Sequence, residues 1–117
     1  MSPGKTAKIV HGLDPTLHEK SRLSIATTLS KHPVLSFIQL KNLLGMTDGN
    51  LCVHMKTLER KGYLHKAKEV RGGRPQTVCE LSENGKEALR GYLSDLEKLV
   101  SSVREAAVDS RILKEGS

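Results

Sequence analysis

Residues 36–62, SFIQLKNLLGMTDGNLCVHMKTLERKG, constrain the fold of this chain more than any other stretch. Ile38, Leu40, Leu43 and Leu44 form a short helical stripe, with Ser36 placed to cap it and Gly45 in the C′ position. Leu51, Met55 and Leu58 form a second stripe that Thr47 caps and Lys61-Gly62 ends. Only the tight turn Gly45-Met46-Thr47 separates the two, so the pair reads as a helix-turn-helix. At about 100° per residue, Leu51, Met55, Leu58 and Gly62 share one side of the second helix. Gly49, Asn50, Val53, Thr57 and Arg60 lie on the other side, with His54 and Lys56 at its flanks. A first turn of Thr47-Asp48-Gly49-Asn50 adds little to a core. It does let the helix end approach a surface closely. Backbone N–H groups there can meet phosphates, and Asn, Thr and His side chains can reach base edges in a DNA major groove.

The flanking segments extend this core. Asp14-Pro15 reads as an N-cap followed by proline at the first helical position, and Leu17, Leu23, Ala26 and Leu29 continue the helix to His32-Pro33. Val34 to Phe37 is a short extended piece. Tyr63 to Val70 and Thr77 to Leu81 are strand-like, and Arg71-Gly72-Gly73-Arg74-Pro75-Gln76 between them reads as a hairpin loop with a basic tip. Ser82 begins a long helix through Ala107, with Glu83 in the first turn, where the helix dipole favours an acid. The expected layout is therefore a frayed N-terminus over 1–12, a core over 13–81, a C-terminal helix over 82–108 and a frayed tail over 109–117. The fold class is mainly α with a small β-hairpin.

The chain of 117 residues suffices for one domain with a modest core. No apolar run approaches the roughly 18 residues needed to span a bilayer, and the N-terminus lacks the apolar stretch of a signal peptide, so the cytoplasm is the expected compartment. Cys52 and Cys79 stand 27 positions apart without C-x-x-C spacing, which gives neither a zinc ribbon nor a disulfide framework; both are expected to be buried thiols. Cys52-Val53-His54 is not a metal site either, since residues two apart on a helix point in divergent directions. No paired carboxylates, phosphate loop or nucleophile motif is present, so no cofactor and no catalytic residues are expected. The net charge of +6 is concentrated in one segment. Between His54 and Arg74, seven Lys or Arg stand against Glu59 and Glu69. A charge run is by default a solvated face, and net charge speaks to partners and not to fold. Here the run coincides with the presented helix and the hairpin tip.

The ensemble LxxLGMTDGNLxxHMKTLExKGYL, GGRPxTxxxLSxNGxxAL resembles the winged-helix transcriptional regulators of the MarR and ArsR type over roughly residues 14 to 100. The resemblance implies a winged helix-turn-helix with Thr47 to Thr57 as recognition helix, Arg71 to Arg74 as wing and Ser82 onward as part of a long C-terminal dimerisation helix. It implies a homodimer on double-stranded DNA and a small-molecule effector or a modified thiol. Together with the helix faces, it marks Thr47, Gly49, Asn50, Val53, His54, Lys56, Thr57, Arg60, Lys66, Lys68, Arg71 and Arg74 as the DNA-binding set. Asp48 is left out as a capping residue, because a carboxylate facing phosphates costs energy. His54 has two readings, a DNA contact or a boundary position beside Leu58. Lys66 and Lys68 suit phosphates or solvent better than base reading.

The long helix supplies the expected dimer interface. Leu89, Leu93, Leu96, Val100 and Val103 are spaced 4, 3, 4 and 3 apart, a heptad seam that Tyr92, Leu99 and Ala107 widen. The alternative to a DNA-binding regulator is a winged-helix module for protein partners, since fold does not fix function. The basic hairpin favours DNA.

Overall fold

Helix caps and glycine turns set the element boundaries in the computed structural model, which describes residues 4–115, with side chains over 4–107. In chain order the elements are α1 (Gly4–Gly12), α2 (Lys20–Lys31), β1 (Leu35–Ser36), α3 (Phe37–Leu44), α4 (Asp48–Arg60), β2 (Leu64–Arg71), β3 (Arg74–Leu81) and α5 (Glu83–Glu115). They fall into two units, Asp14–Arg90 and Met1–Leu13 with Gly91–Ser117. None of the described helices is long and apolar enough to cross a membrane.

The unit Asp14–Arg90 is the winged helix. The Ser36 hydroxyl accepts the Gln39 N–H while the Gln39 side chain accepts the Ser36 N–H, a capping box that opens α3. Gly45, in the left-handed conformation, ends α3, and the Thr47 hydroxyl then accepts the Asn50 N–H at 3.1 Å to open α4. Leu17, Ile25, Leu29, Leu40, Leu51, Met55 and Leu58 form the centre of the core beside Cys79.

Two boundaries differ from the sequence expectation. Asp14 caps a turn rather than the helix: its Oδ1 accepts the N–H groups of Thr16 and Leu17 at 2.8 and 3.2 Å. The helix begins at Lys20, where the Glu19 carboxylate takes the Arg22 N–H at 2.8 Å. The wing loop is also shorter than the six residues expected. β2 and β3 pair antiparallel out to Arg71 opposite Arg74, leaving only Gly72-Gly73 as the turn. Both glycines have positive φ, 58° and 78°, as a type I′ turn requires, and that turn matches the strand twist and lets pairing continue to the tip. Sheet order is β1-β3-β2, with Leu35 and Ser36 opposite Cys79 and Val78. Because β1 reaches no further, the edge of β3 at Pro75 has no strand partner, and the missing N–H of proline is harmless there.

The start of α5 is pinned to the segment after α4. Ser82 N–H donates to the Tyr63 carbonyl at 3.0 Å, and the Ser82 hydroxyl accepts the Gly85 N–H at 2.9 Å as a helix cap. A Cβ on Gly85 would lie 2.1 Å from the Tyr63 carbonyl oxygen, so this position admits only glycine without movement.

The other unit corrects the expected ends. Gly4–Gly12 is helical where residues 1–12 were expected to fray. The Thr6 and Ser102 hydroxyls are hydrogen-bonded at 2.7 Å and Lys5 lies 3.9 Å from Glu105, which ties α1 to α5. The helix α5 continues through Glu115, past the boundary expected at 108; residues 1–3 and 116–117 lie outside the described residues. The expected dimer seam divides. Leu89 and Tyr92 are buried within the chain and are not available to a partner, because the wide apolar stripe of α5 serves the protomer's own packing first. Leu93, Val100 and Val103 remain exposed, with Leu96 and Leu99 half-buried.

Candidate nucleic-acid interface

Helix α4 separates its two sides as its sequence dictates. Leu51, Met55 and Leu58 are buried, whereas Gly49, Asn50, Val53, Lys56 and Arg60 are exposed and Thr57 is partly so. Val53, an apolar residue, is left 61% exposed in the middle of this face. The Thr57 hydroxyl donates to the Val53 carbonyl at 3.2 Å, which leaves its oxygen lone pairs as acceptors. At 13 residues the helix is about 20 Å long, enough to lie along a major groove.

Electrostatics at the start of α4 depend on a residue that sequence reasoning missed. Lys41 of α3 holds the Asp48 carboxylate at 2.9 Å. The pair offsets the negative charge of Asp48 beside the helix N-terminus. No periodic signal spans the turn between the two residues, so their contact is visible only once α3 and α4 are folded against each other.

The DNA-binding set is not presented as one surface. His54 takes the boundary reading: its side chain is only 16% exposed, and its Nδ1 lies 3.2 Å from the Arg22 guanidinium and 3.6 Å from Glu19 Oε1. It is turned towards α2 and away from the presented face. Glu19 in turn stays charged below the usual carboxylate range. Burial pushes its pKa up, but the Arg22 and Ser21 N–H groups and the charges of His54 and Arg22 pull it down further. Lys66 is also partly withdrawn, since its ammonium lies 3.0 Å from the Glu59 carboxylate. That ion pair fastens β2 to α4. Lys68 and Arg74 stay exposed, and the Nε of the partly exposed Arg71 donates to Glu69 Oε2 at 3.3 Å. Arg71 and Arg74 stand directly opposite each other at the wing tip, on one face of the hairpin.

The cysteines divide as well. Cys79 is fully buried, and burial above all pushes its thiol up to about 11, as the nearby Glu59 charge does, against the opposing pull of Lys66. Cys52 is exposed, contrary to expectation, because its position on α4 falls outside the Leu51–Met55–Leu58 stripe. It lines a cavity of about 270 Å³ between α4 and the wing, together with Phe37, Met55, Lys56, Lys66 and Thr77. Lys56 of the helix and Lys66 of the wing therefore border the same space.

Comparison with known proteins agrees with this geometry. A family model described as a winged helix DNA-binding domain matches residues 21–100. An uncharacterized protein of Methanocaldococcus jannaschii is 32% identical over 82 residues, which is 70% of this chain and 89% of that protein. A transcriptional regulator homologue from Pyrococcus horikoshii OT3 has the same fold with a TM-score of 0.74 at 30% identity, covering 83% of this chain and 94% of that one. The PcaV transcriptional regulator of Streptomyces coelicolor, solved in complex with its natural ligand, shares the fold with a TM-score of 0.66 at 16% identity, over 98% and 91% of the two chains. The likeness to MarR and ArsR type regulators read from the motifs agrees with these matches.

Proposed function

We propose, since this chain belongs to the winged helix DNA-binding domain family, that it is a transcriptional regulator that reads a specific double-stranded DNA sequence as a homodimer. The observation that carries the reading is the exposed face of α4, which is polar and small where it would meet a groove and is flanked by an exposed, basic wing. Asn50, Val53 and Thr57 read bases; Gly49 lets the backbone approach; Thr47, Lys56, Arg60, Lys68, Arg71 and Arg74 meet phosphates or the adjacent minor groove. The two arginines paired at the wing tip favour DNA over a protein partner.

Dimerisation uses the exposed part of the seam, Leu93, Val100 and Val103, with Val10 of α1 in the same unit. A two-fold dimer sets two recognition helices about 34 Å apart, one turn of DNA. A small-molecule effector acts through this unit, where a cavity of about 650 Å³ is lined by Lys5, Lys8 and Lys98 together with Glu97, Glu105, Ile9 and the hydroxyls of Ser94, Ser101 and Ser102. The protein works in the cytoplasm, with its DNA.

Selection of bound fragments from random duplex DNA tests the reading. Enrichment of an inverted repeat, with half-sites one helical turn apart, is the expected result. Recovery of sequences no different from the starting pool overturns sequence-specific binding.

A further inference from the structure

Arg22, Glu19 and His54 meet in the seam between α2 and α4, and their donors and acceptors fit one protonation state of the histidine. Arg22 Nη1 lies 3.2 Å from His54 Nδ1. A guanidinium donates and never accepts, so Nδ1 is the bare nitrogen of a neutral imidazole whose proton is on Nε2. Arg22 is not free to swing aside, because its Nε also donates to the Thr16 carbonyl at 2.6 Å. Glu19 is engaged as well: its Oε1 accepts the Arg22 backbone N–H at 2.8 Å as the cap of α2, and stands 3.6 Å from His54 Nδ1 and 3.9 Å from Arg22 Nη1. The Arg22 and His54 side chains are only 18% and 16% exposed, so water does little to screen the contact. On α4 itself the residues one turn from His54, which are Asn50, Leu51, Thr57 and Leu58, carry no charge. Glu19 and Arg22 are therefore the charged groups that face His54 among the described residues, with no ion pair reaching it from α3 or β2.

We infer that Arg22 is a positioning residue for the recognition helix: through neutral His54 it fixes the phase of α4 against α2 that aims Asn50 and Thr57, and protonation of His54 releases that contact. A proton on Nδ1 turns this nitrogen from acceptor to donor. The hydrogen bond from Arg22 is lost, and two cations then face each other in a half-buried seam. Glu19 offers the relief. Its carboxylate is held below the usual range, chiefly by the Arg22 and Ser21 N–H groups against the upward push of burial, so it is still charged when a histidine protonates. It takes the new N–H only if the imidazole moves off Arg22. Asn50 lies one turn before His54 and Thr57 one turn after it, so a movement of α4 at this anchor carries both base-reading side chains with it. Phosphate contacts from the wing are far less dependent on the phase of α4.

The inference rests on the DNA-binding reading, and the test separates the two. Affinities for the selected inverted repeat and for random duplex are measured by fluorescence anisotropy at about pH 8 and about pH 5.5, between which a histidine changes charge. Their ratio is the readout, because added positive charge strengthens phosphate contacts on both DNAs alike. In the wild type the ratio is expected to fall about 5-fold or more on acidification, whereas His54→Asn, whose amide oxygen replaces Nδ1 as an acceptor that does not titrate, holds it within about 2-fold. Arg22→Gln is expected to show the lowered ratio at both pH values. Thermal melts check that the variants fold, and NMR of the wild-type imidazoles gives a second measurement that needs no variant: the midpoint of the His54 resonances coincides with that of the ratio. A wild-type ratio above one that does not change with pH, an equal fall in His54→Asn, or a His54 midpoint that differs from that of the ratio overturns the inference and leaves the DNA reading intact. A ratio of one at both pH values overturns sequence-specific reading together with the inference.

Discussion

The Tyr63 hydroxyl donates a 2.5 Å hydrogen bond to Asp14 Oδ2, joining the segment after the recognition helix to the turn before α2. The same carboxylate caps that turn through Oδ1, so one aspartate fixes both. Burial, then the hydrogen bond and charge of Asp14, push the Tyr63 hydroxyl up to about 12. A tyrosine whose folded pKa lies above its unfolded value near 10 contributes stability that is complete below pH 10 and is lost as pH rises towards 12. Tyr63→Phe is expected to cost about 1–2 kcal/mol at neutral pH and to flatten the alkaline fall in stability. Urea melts at pH 7, 9 and 10.5 check both effects.

Gly85→Ala tests the contact at the start of α5. Its new Cβ would meet backbone, which cannot rotate away, so a loss of about 1–3 kcal/mol is expected despite the better helix propensity of alanine. Gly91→Ala, where nothing lies within 4 Å of the added Cβ, is the matched control and is expected to be neutral or stabilising. Similar losses at both positions in thermal melts would contradict the close-approach account.

The helix-turn-helix was legible in the sequence because its signals are local. Ser36 with Gln39, Gly45 and Thr47 each lie within one helical turn of the boundary they set, and all three boundaries agree with the structure. The start of α2 was not, because Asp14 and Glu19 both carry a capping side chain and the choice between them depends on Tyr63, 49 residues away from Asp14. The hairpin was legible as a pair of strands, but its length was not, since two adjacent glycines fit a flexible loop as well as a tight I′ turn. Within the DNA-binding set, helical phase located the exposed residues Asn50, Val53 and Lys56. It left His54 with two readings, because periodicity cannot show that α2 offers Glu19 and Arg22 at that flank. The heptad spacing along α5 likewise gave the stripe but not which part of it the protomer keeps for itself.

Reading and positioning residues are expected to differ in their effect on specificity. Asn50→Ala and Thr57→Val are expected to cost about 1–3 kcal/mol on the selected site and little on random duplex, whereas Arg74→Ala weakens both alike. Anisotropy titrations against the two DNAs check the contrast. Unchanged sequence preference in the α4 variants would contradict its role as reader.

Oligomeric state follows from the exposed seam. Val100→Glu with Val103→Glu alters two residues that are 46% and 53% exposed in the protomer, so the fold is expected to survive. The double variant places four carboxylates in the dimer interface. Sedimentation velocity is expected to show a dimer for the wild type and a folded monomer for the variant, with much weaker binding to the inverted repeat. A variant that stays dimeric would place the interface elsewhere.

Salt titration of DNA binding bears on the whole account. Lys56, Arg60, Lys68, Arg71 and Arg74 line the presented face and the wing, and each phosphate they neutralise releases counterions. Affinity for the selected duplex is expected to fall by about 10³ or more per dimer between about 50 and 200 mM salt. Affinity that stays flat across that range would contradict the assignment of this surface to DNA.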